Sequence, residues 1–278
     1  MRDPRSIRRD TAAALGVEAV QITHDGRYTA PSGRVVDIAA YVERAIEATT
    51  SFPPNTRIPL PSPGAFTTRV SARNESTLEA ARRLRDADLD PAALNFASAR
   101  NPGGGFLKGA RAQEESLCRA SALYACIVNA PMYAHHTQLR DPLYTAWLLY
   151  SPGVPVFRDD DGALLESPWR CAFVTAPAPN TKVFRERSPE RLDVLAPTFD
   201  LRIERVLATA AREGHRSVVL GAWGCGAFGG DAEMVAERFD RALDGAFRGV
   251  FEEVVFAVLD TSDAQHTLGP FARRFGRE

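Results

Sequence analysis

Three consecutive glycines and two adjacent acids lie close together in the stretch NPGGGFLKGARAQEES, at 101–116. Glycines tolerate positive φ and let a ligand approach the backbone, so the amides of 103–105 can point at an anion or at sugar hydroxyls. Glu114 and Glu115 open an apolar-periodic run that predicts a helix. The pattern predicts a ligand-shaping loop beside carboxyl groups, the residue type that general acid–base catalysis uses.

The two acids also have an ordinary structural explanation. Carboxylates are favoured in the first turn of a helix because they interact with the helix dipole and with free backbone amides. Successive helical residues point about 100° apart, so of Glu114 and Glu115 one can face the glycine loop while the other turns towards a flank. The acid that faces the loop is the candidate for catalysis.

A strand predicted over 92–99 places the glycine loop at its carboxyl end. The loop that runs from there to Gln113 is longer than the usual connection in α/β proteins, which favours a function. Asn101 lies where open α/β sheets bind ligands, and its amide can both donate to and accept from a sugar diol. It can equally be a turn-starting residue before Pro102.

A second glycine-rich loop, GAWGCGAFGGD at 221–231, follows a predicted strand and precedes a predicted helix. Gly224, Gly226 and Gly229 form a GxGxxG, the fingerprint whose backbone amides hold the diphosphate of a dinucleotide. An NAD-dependent oxidoreductase is therefore one alternative. Against it, only about 50 residues follow, enough for one more strand of a Rossmann sheet. The acid about 20 positions further on, Asp244, falls inside a predicted helix.

The composition is that of a soluble globular protein. The 278 residues carry 34 basic and 35 acidic side chains, so no overall field attracts nucleic acid. No apolar run reaches the roughly 18 residues of a membrane span, and no apolar segment of a signal peptide follows the N-terminal arginines, which predicts a cytoplasmic protein. We expect buried free thiols, and neither disulfides nor a metal site, for the four cysteines Cys118, Cys126, Cys171 and Cys225.

The predicted elements divide the chain in two. Helices are predicted in the first 50 residues, within IRRDTAAAL and VVDIAAYVERAIEATTS, and five prolines mark an extended connector at 51–66. Beyond it, strands that are apolar on both faces alternate with helices, which predicts an α/β sheet covered on both sides. We expect a helical extension at 1–64 and a second domain at 65–278. The predicted strands of that domain are 67–73, 92–99, 169–179, 217–223 and 251–260, and the predicted helices are 76–87, 114–127, 192–214 with a break at Pro197, 232–247 and a last one through Phe275.

The string GGG, seven residues, QEE resembles the signature of poly(ADP-ribose) glycohydrolases. Residues from about 65 to 275 are similar to the bacterial type, a macrodomain with an added N-terminal helical segment. The resemblance implies a macrodomain-like mixed sheet with helices on both faces, and hydrolysis of the ribose–ribose O-glycosidic bond of poly(ADP-ribose) with release of ADP-ribose. It implies no cofactor and no metal. The expected partners are ADP-ribose, its polymer and poly(ADP-ribosyl)ated proteins, with no sequence-specific nucleic acid, and the expected state is a monomer.

Carried over residue by residue, the resemblance makes Glu115 the catalytic acid and Glu114 the group that holds ribose hydroxyls. Further substrate-binding residues that it implies are Asn101, Gly103, Gly104, Gly105, Gln113, Gly224, Cys225, Gly226, Ala227 and Phe228. Phe228 would pack on the distal ribose or, alternatively, anchor its own loop. Trp223 and Cys225 are also suited to packing.

Adenine is expected at the turn RNESTLEAARRL, where Asn74, Glu75, Ser76 and Thr77 can read the base or simply cap a helix. His135 and His136, in YAHHTQ, are predicted as a surface pair in a polar loop and not as metal ligands.

Two features bear on the reaction. No second carboxylate is evident at the separation from Glu115 that paired-carboxylate glycosidases use, so the sequence predicts no stereochemical course. A module that binds ADP-ribose without cutting it is the other alternative. The Gln-Glu-Glu triplet argues against that alternative, since a binding module needs no acid.

Overall fold

The apolar strands predicted after the connector form one mixed sheet in the computed structural model, which describes residues 6–62 and 64–276. The strands of this sheet are β3 Thr50–Phe52, β4 Arg69–Arg73, β5 Pro91–Phe96, β6 Leu148–Arg158, β7 Leu164–Ala176, β8 Ser217–Leu220 and β9 Glu253–Ala257. Two short strands, β1 Arg27–Thr29 and β2 Val35–Asp37, form a separate antiparallel pair. Residues 1–5 with their two arginines, Pro63 of the predicted connector and residues 277–278 lie outside the described residues.

The order of strands in the sheet is β3-β6-β7-β5-β8-β9-β4. The strands from β7 to β4 run parallel to one another, and β6 is antiparallel to both of its neighbours, β3 and β7. The carboxyl ends of the parallel strands therefore meet at one edge of the sheet, which is where open α/β sheets bind ligands.

Helices cover both faces of the sheet, as the strands that are apolar on both sides require. Their bounds are α1 Arg9–Asp25, α2 Ala39–Glu47, α3 Thr77–Asp86, α4 Gln113–Ala120, α5 Leu123–Ile127, α6 Pro131–Gln138, α7 Thr181–Arg187, α8 Leu195–Arg212, α9 Ala232–Asp244 and α10 Leu268–Phe275. One core, on the face of α1 to α6, and a second, on the face of α8 to α10, bury the apolar side chains. Among the described helices, none is long and apolar enough to cross a bilayer. The predicted α/β fold with a covered mixed sheet is confirmed.

The N-terminal part contains more β-structure than the sequence predicts. The segment VVD, predicted as helical, is strand β2, and α2 begins only at Ala39. Asp37 Oδ1 accepts a hydrogen bond from the backbone amide of Ala39, the first residue of α2, at 2.9 Å, and this local turn favours the later start of the helix. Thr50–Phe52, in the region predicted as helix and connector, pairs with β6 in the main sheet. The division of the chain at residue 64 stays a prediction.

Two predicted helices differ from the structure in their breaks. The helix predicted over 114–127 is interrupted at Ser121, which forms a β-bridge with Val156 and whose hydroxyl donates to the carbonyl of Leu117. The break predicted at Pro197 is wrong, and α8 runs through this position. Pro197 is the third residue of α8, and amides in the first turn have no partner within the helix, so a missing N–H costs nothing there.

Arg205 of α8 holds the backbone of the proline-rich segment that follows β3. Prolines lack an N–H, so this segment cannot continue a sheet ladder, and its carbonyls need another donor. The guanidinium, with its five N–H groups, supplies it. At 2.7 to 3.1 Å, Arg205 donates to the carbonyls of Phe52, Pro53, Thr56 and Ala146.

We expect Arg205→Ala to lower the free energy of unfolding by at least about 2 kcal/mol, because several buried carbonyls would lose their donor at once. Urea unfolding followed by circular dichroism would measure the change. Glu204→Ala, next to it on the exposed side of α8, is the matched control and should change the same quantity by less than about 0.5 kcal/mol. Equal stability of the Arg205 variant and the unmodified protein would show that the arginine does not hold this segment.

Candidate active site

Parallel pairing of β5 with β8 brings the two glycine-rich loops together. Ala92 pairs with Val218 and Ala93 with Val219, so the loops that follow the two strands leave the sheet side by side. Between these loops and the start of α3 lies a cavity of about 360 Å³. The predicted site residues that line it are Glu75, Ser76, Thr77, Gln113, Glu114, Glu115, Gly224, Cys225, Gly226, Ala227 and Phe228. Asn74, Asn101 and the glycines 103–105 lie outside this lining.

Gly104 nevertheless lies next to the carboxyl groups of Glu114 and Glu115, although it is not part of the cavity lining. It has φ +60°, and a Cβ built on it would lie 2.2 Å from Glu115 Oε1 and 3.2 Å from Glu114 Oε2. The Gly104 amide donates to the carbonyl of Asn101 at 2.9 Å, which closes the loop into a turn. Glycine is required here for its left-handed backbone and for the absence of a side chain.

Glu115 has one carboxyl oxygen fixed and the other without a partner. The amide of Gly105 donates to Oε1 at 3.0 Å. Oε2 is buried and accepts no hydrogen bond from any residue in 6–62 or 64–276. A buried polar atom without a partner costs free energy, so it marks a position where a ligand can supply the missing bond.

Glu114 is almost completely buried. Its Oε2 accepts from the amide of Ser98 at 2.7 Å, and Asn95 Nδ2 lies 3.4 Å from its Oε1. Burial raises the pKa of Glu114 from 4.5 to about 8, and the neighbouring charge of Glu115 acts in the same direction. Glu114 therefore carries a proton at neutral pH.

The prediction that one of the two acids turns towards a flank is wrong. Both side chains are buried, both line the cavity and both reach the glycine loop. The reason is that the first turn of α4 packs directly against β5 and its following loop, so two successive directions around the helix both point into the site.

Gln113 fixes the start of α4 to neighbouring elements. Its Oε1 accepts from the amide of Phe96 at 2.9 Å, and its Nε2 donates to the carbonyl of Leu94 at 2.7 Å and to Thr77 Oγ1 at 3.1 Å. Both ends of the amide are thus occupied by protein groups. This geometry favours a positioning role for Gln113 over direct contact with a ligand.

Sequence reasoning missed Asn95 and Ser98, which hold Glu114. Asn95 Nδ2 also donates to Thr175 Oγ1, at 3.2 Å, across the pairing of β5 with β7. The signal was present in AALNFASA, where two polar residues interrupt an apolar strand. A buried polar side chain in a central strand needs a partner, and the partner here is the Glu114 carboxyl of α4.

In the second loop, consecutive backbone amides point to no protein acceptor. The amide of Gly229 donates to the carbonyl of Gly226 at 2.9 Å and closes the turn. Within the ranges that the structure describes, the amides of Gly226, Ala227 and Phe228 have no hydrogen-bond partner. Consecutive free amides in a turn form a concave site for an anionic oxygen.

Trp223, at the start of this loop, packs in the core, as predicted. Trp223 is fully buried, and its Nε1 donates to the carbonyl of Ala176 at 3.0 Å. Cys225 is half-buried and lines the cavity, whereas the other three cysteines are buried, and all four are free thiols. Burial raises the pKa of Cys225 to about 12, which keeps it neutral.

The GxGxxG does not continue as a Rossmann half. α9 leads into β9, which pairs with β8 and β4, and Asp244 is the last residue of α9. In a dinucleotide site, the acid that binds the ribose follows the next strand of the sheet. The topology therefore disfavours the oxidoreductase alternative.

The turn predicted to read adenine is largely occupied by protein contacts. The side chain of Asn74 joins the ends of β4 and β9. Its Nδ2 donates to the carbonyl of Asp260 at 2.8 Å, and its Oδ1 accepts from the backbone N–H of Asp260 at 3.0 Å. Ser76 Oγ accepts from the amide of Glu79 at 3.0 Å and so caps α3. Capping, the structural interpretation of Ser76, is therefore observed.

Asp160 is a further residue of the cavity that the sequence did not indicate. It lies on the turn between β6 and β7, and Ser76 Oγ donates to its Oδ2. Burial raises the pKa of Asp160 to about 6. Its sequence context, an Asp-rich turn, is typical of exposed turns, so only the fold brings it to the site.

His136 is not on the surface. It lies in α6, fully buried, where Nδ1 donates to the carbonyl of Ala99 at 3.2 Å and Nε2 accepts from Thr145 Oγ1 at 2.7 Å. Burial lowers the pKa of His136 to about 4, so the ring is neutral. The predicted polar loop is wrong because residues 131–138 form α6, whose buried face includes Met132, Tyr133 and His136. His135 is exposed as predicted, and the described part of the chain contains no group of three or more potential metal ligands.

A family model described as the microbial-type PARG catalytic domain, where PARG is poly(ADP-ribose) glycohydrolase, matches residues 17–159. The match includes the glycine loop and both acids of α4. The comparison with curated proteins gives no match.

Solved structures of bacterial poly(ADP-ribose) glycohydrolases are similar to this chain over most of its length. The enzyme from Thermomonospora curvata is 48% identical and covers 96% of this chain and 100% of its own, with a TM-score of 0.90. The same enzyme bound to the inhibitor ADP-HPD is 49% identical, with the same coverage and TM-score. The enzyme from Deinococcus radiodurans in complex with ADP-ribose is 44% identical and covers 86% of this chain and 98% of its own, with a TM-score of 0.81.

The raised pKa of Glu114 predicts a dependence of stability on pH. The carboxyl titrates near 4.5 in the unfolded chain and near 8 in the folded one, so between these values the folded state binds the extra proton. Its contribution to stability is complete below about pH 4.5 and is lost as the pH rises to about 8. Glu114→Gln cannot ionise and should lack this loss.

Melting temperatures of Glu114→Gln and the unmodified protein, measured from pH 5 to pH 8, would test this. The melting temperature of the variant should rise steadily relative to that of the unmodified protein as the pH rises. Glu43→Gln, on the exposed side of α2, is the control for replacing a carboxyl by an amide away from the site. A difference for Glu114→Gln that stays constant with pH would contradict the raised pKa.

Proposed function

Because the chain belongs to the microbial-type poly(ADP-ribose) glycohydrolases and is an enzyme that acts on poly(ADP-ribose), we propose that the cavity binds the terminal ADP-ribose unit of the polymer, with Glu115 as the general acid and base. The observation that carries this assignment is the state of the Glu115 carboxyl. One oxygen is held by the Gly105 amide, and the other is buried at the cavity without a partner among the residues that the structure describes.

The diphosphate would bind the free amides of Gly226, Ala227 and Phe228. Their site is made by backbone and by the N-terminal side of α9, which favours an anionic oxygen. Lys182, whose amide donates to the carbonyl of Phe228 at 2.8 Å, lies beside this loop. The near-zero net charge of the chain fits this arrangement, because local geometry and not a general positive field selects the ligand.

The distal ribose would lie between the two carboxyl groups on one side and Phe228 on the other. The absence of a side chain at Gly104 lets the two carboxyl groups approach the sugar from the same side. Phe228 supplies an apolar surface for the ring, and Glu114 holds the ribose hydroxyls. With its proton, Glu114 can donate to one hydroxyl oxygen while it accepts from the amide of Ser98.

The reaction breaks the bond between the anomeric carbon of the terminal unit and the 2′-oxygen of the preceding adenosine. In the proposed mechanism Glu115 gives its proton to that oxygen as positive charge develops on the sugar. A water molecule then adds to the anomeric carbon and returns a proton to Glu115. Neutral Glu114 adds no second negative charge when Glu115 has given up its proton and is itself negatively charged.

The adenine end would lie at the outer part of the cavity. Glu75, Ser76, Thr77 and Asp160 line the cavity, so the predicted adenine turn contributes three of its four residues together with the turn between β6 and β7. We further infer that the free ends of chains on poly(ADP-ribosyl)ated proteins are the physiological ligands. The cytoplasmic location and the monomeric state stay predictions.

Replacing Glu115 should separate binding from catalysis. We expect Glu115→Gln to release ADP-ribose from labelled polymer at least about a hundredfold more slowly, the usual scale for general acid–base catalysis. The dissociation constant for ADP-ribose, measured by calorimetry, should change little because the amide keeps the shape of the side chain. A rate close to that of the unmodified enzyme would remove Glu115 from the mechanism. An unmodified protein that binds polymer without cutting it would support the alternative of a binding module.

Gly104→Ala should abolish most of the activity for a steric reason. A Cβ at this position would displace the Glu115 carboxyl, from which it would lie only 2.2 Å away. We expect at least about a hundredfold loss in the rate of polymer cleavage, as for removal of the acid itself. Gly153→Ala is a matched control, because Gly153 also has a left-handed φ of +58° but open space around it.

The control variant carries the backbone strain alone, about 1–2 kcal/mol of stability, and should keep the activity of the unmodified enzyme. Equal loss of activity in the two variants would show that strain, and not contact with Glu115, explains the effect. Melting temperatures of both variants would confirm that each is folded in the assay.

A further inference from the structure

Tyr144 has a backbone conformation that is unfavourable for its side chain. Its φ is +59°, in the left-handed region, which bulky residues other than glycine rarely occupy. Such conformations persist when the surrounding structure holds them, and they concentrate at functional sites. Glycine or asparagine would satisfy the turn at lower cost, so the phenol ring itself has to be explained.

Buried side chains hold the turn 141–146 around Tyr144 from several directions. Arg202 and Arg205 of α8 donate to the carbonyls on either side of it, and His136 of α6 fixes the next residue. The contacts are those of Arg202 Nη2 with the Leu143 carbonyl, Arg205 Nε with the Ala146 carbonyl at 2.8 Å, His136 Nε2 with Thr145 Oγ1 at 2.7 Å and the amide of Asn180 with the Pro142 carbonyl at 2.9 Å. The orientation of the tyrosine is therefore fixed before any ligand binds.

The ring of Tyr144 lies next to both loops of the active site. Its centroid is 6.2 Å from that of Phe228, at the end of the amide-lined loop. The guanidinium carbon of Arg100 lies 5.5 Å from the ring centroid, over its face. Arg100 directly precedes Asn101 and the glycines. Neither Arg100 nor Tyr144 lines the cavity, so the pair adjoins the site from outside.

Arg100 is itself held in place while its charge stays available. Its Nε donates to the carbonyl of His136 and its Nη2 to the carbonyl of Leu139, each at 3.2 Å. Within residues 6–62 and 64–276 its side-chain acceptors are thus carbonyls of α6 and the residue after it, which leave a net positive charge. Arg100 is exposed and Tyr144 is partly exposed, so the outer face of the guanidinium is open to solvent.

We propose that Arg100 and Tyr144 form a binding platform for the second ADP-ribose unit of the polymer, the unit that leaves when the terminal bond is cut. This inference rests on the proposed function, in which the cavity holds the terminal unit. The leaving unit begins at the 2′-oxygen that is bonded to the anomeric carbon beside Glu115, and it carries an adenine and a diphosphate. A guanidinium plane backed by an aromatic ring stacks with a base, and its free N–H groups bind phosphate oxygens.

The platform adds to the affinity for the polymer and leaves the affinity for free ADP-ribose unchanged. That difference gives the test. Two substrates are compared, namely poly(ADP-ribose) and an ADP-ribose that carries 4-nitrophenol at the anomeric carbon in the configuration of the polymer. The second substrate fills the cavity equally but has no base or diphosphate on the leaving side.

The main variants are Tyr144→Gly, which removes the ring and suits the left-handed backbone, and Arg100→Gln. Each should lower kcat/KM on the polymer at least about fivefold, the lower range for the loss of one stacked base. On the nitrophenyl substrate, kcat/KM should stay within about twofold. Tyr144→Phe, which keeps the ring, should restore the polymer value.

Tyr41→Ala is the matched control, because Tyr41 also lies under an arginine, with Arg170 at 5.3 Å, but on α2 away from the site. It should leave both substrates unaffected. Equal losses of kcat/KM on both substrates would overturn the proposal and indicate that Tyr144 supports Phe228. An unchanged kcat/KM on the polymer in both main variants would overturn it as well. If Tyr144→Gly does not fold, the ratio of kcat/KM on the two substrates for Arg100→Gln, a change at an exposed residue, is sufficient to test the proposal.

Failure of the proposed function has a different signature. In that case Glu115→Gln would cleave both substrates at the rate of the unmodified protein, or the unmodified protein would cleave neither. The ratio between the two substrates, which tests the platform, is measured only among variants that retain Glu115.

Discussion

The burial of two adjacent carboxyl groups at the start of one helix is the constraint on which the site depends. A carboxylate removed from water needs hydrogen bonds or a proton, and two of them side by side need both. The protein supplies the amides of Ser98 and Gly105 and, through burial, the proton on Glu114. One oxygen of Glu115 has no partner within the described residues, so its burial destabilises the free protein. A ligand that donates a hydrogen bond to this oxygen would remove part of that cost when it binds.

The sheet makes this arrangement possible because it brings distant segments to one edge. β5 ends at the glycine loop, β8 ends at the amide-lined loop, and their parallel pairing joins segments that are more than a hundred residues apart. Helix α8, on the face of the sheet that α9 and α10 also cover, fixes several of the connecting loops. Its buried arginines hold backbone carbonyls of loops that have few ladder bonds of their own, including the turn that carries Tyr144.

Local patterns predicted the fold and the two loops well, and they failed where tertiary contacts decide. Apolar strands alternating with helices predicted the covered sheet, and the glycines and acids of 101–116 predicted the chemistry of the site. The same patterns placed His136 on the surface, because the sequence does not distinguish a polar loop from a helix that buries one of two adjacent histidines and exposes the other. They gave no indication of Asp160, which lies on the turn between β6 and β7 and reaches Ser76 and the cavity only through the tertiary fold. The continuous α8 shows that the position of a proline within a helix matters more than its presence.

The pairing of Thr50–Phe52 with β6 has a consequence for how the chain can be shortened. β6 has β7 on one side, and on the other side its residues Leu148–Tyr150 pair with this three-residue strand. A chain that began at residue 65 would therefore leave the backbone of Leu148–Tyr150 as an open edge. Unpaired edges recruit strands from other molecules and lead to aggregation. The short N-terminal strand thus acts as a cover that keeps the sheet from growing between molecules.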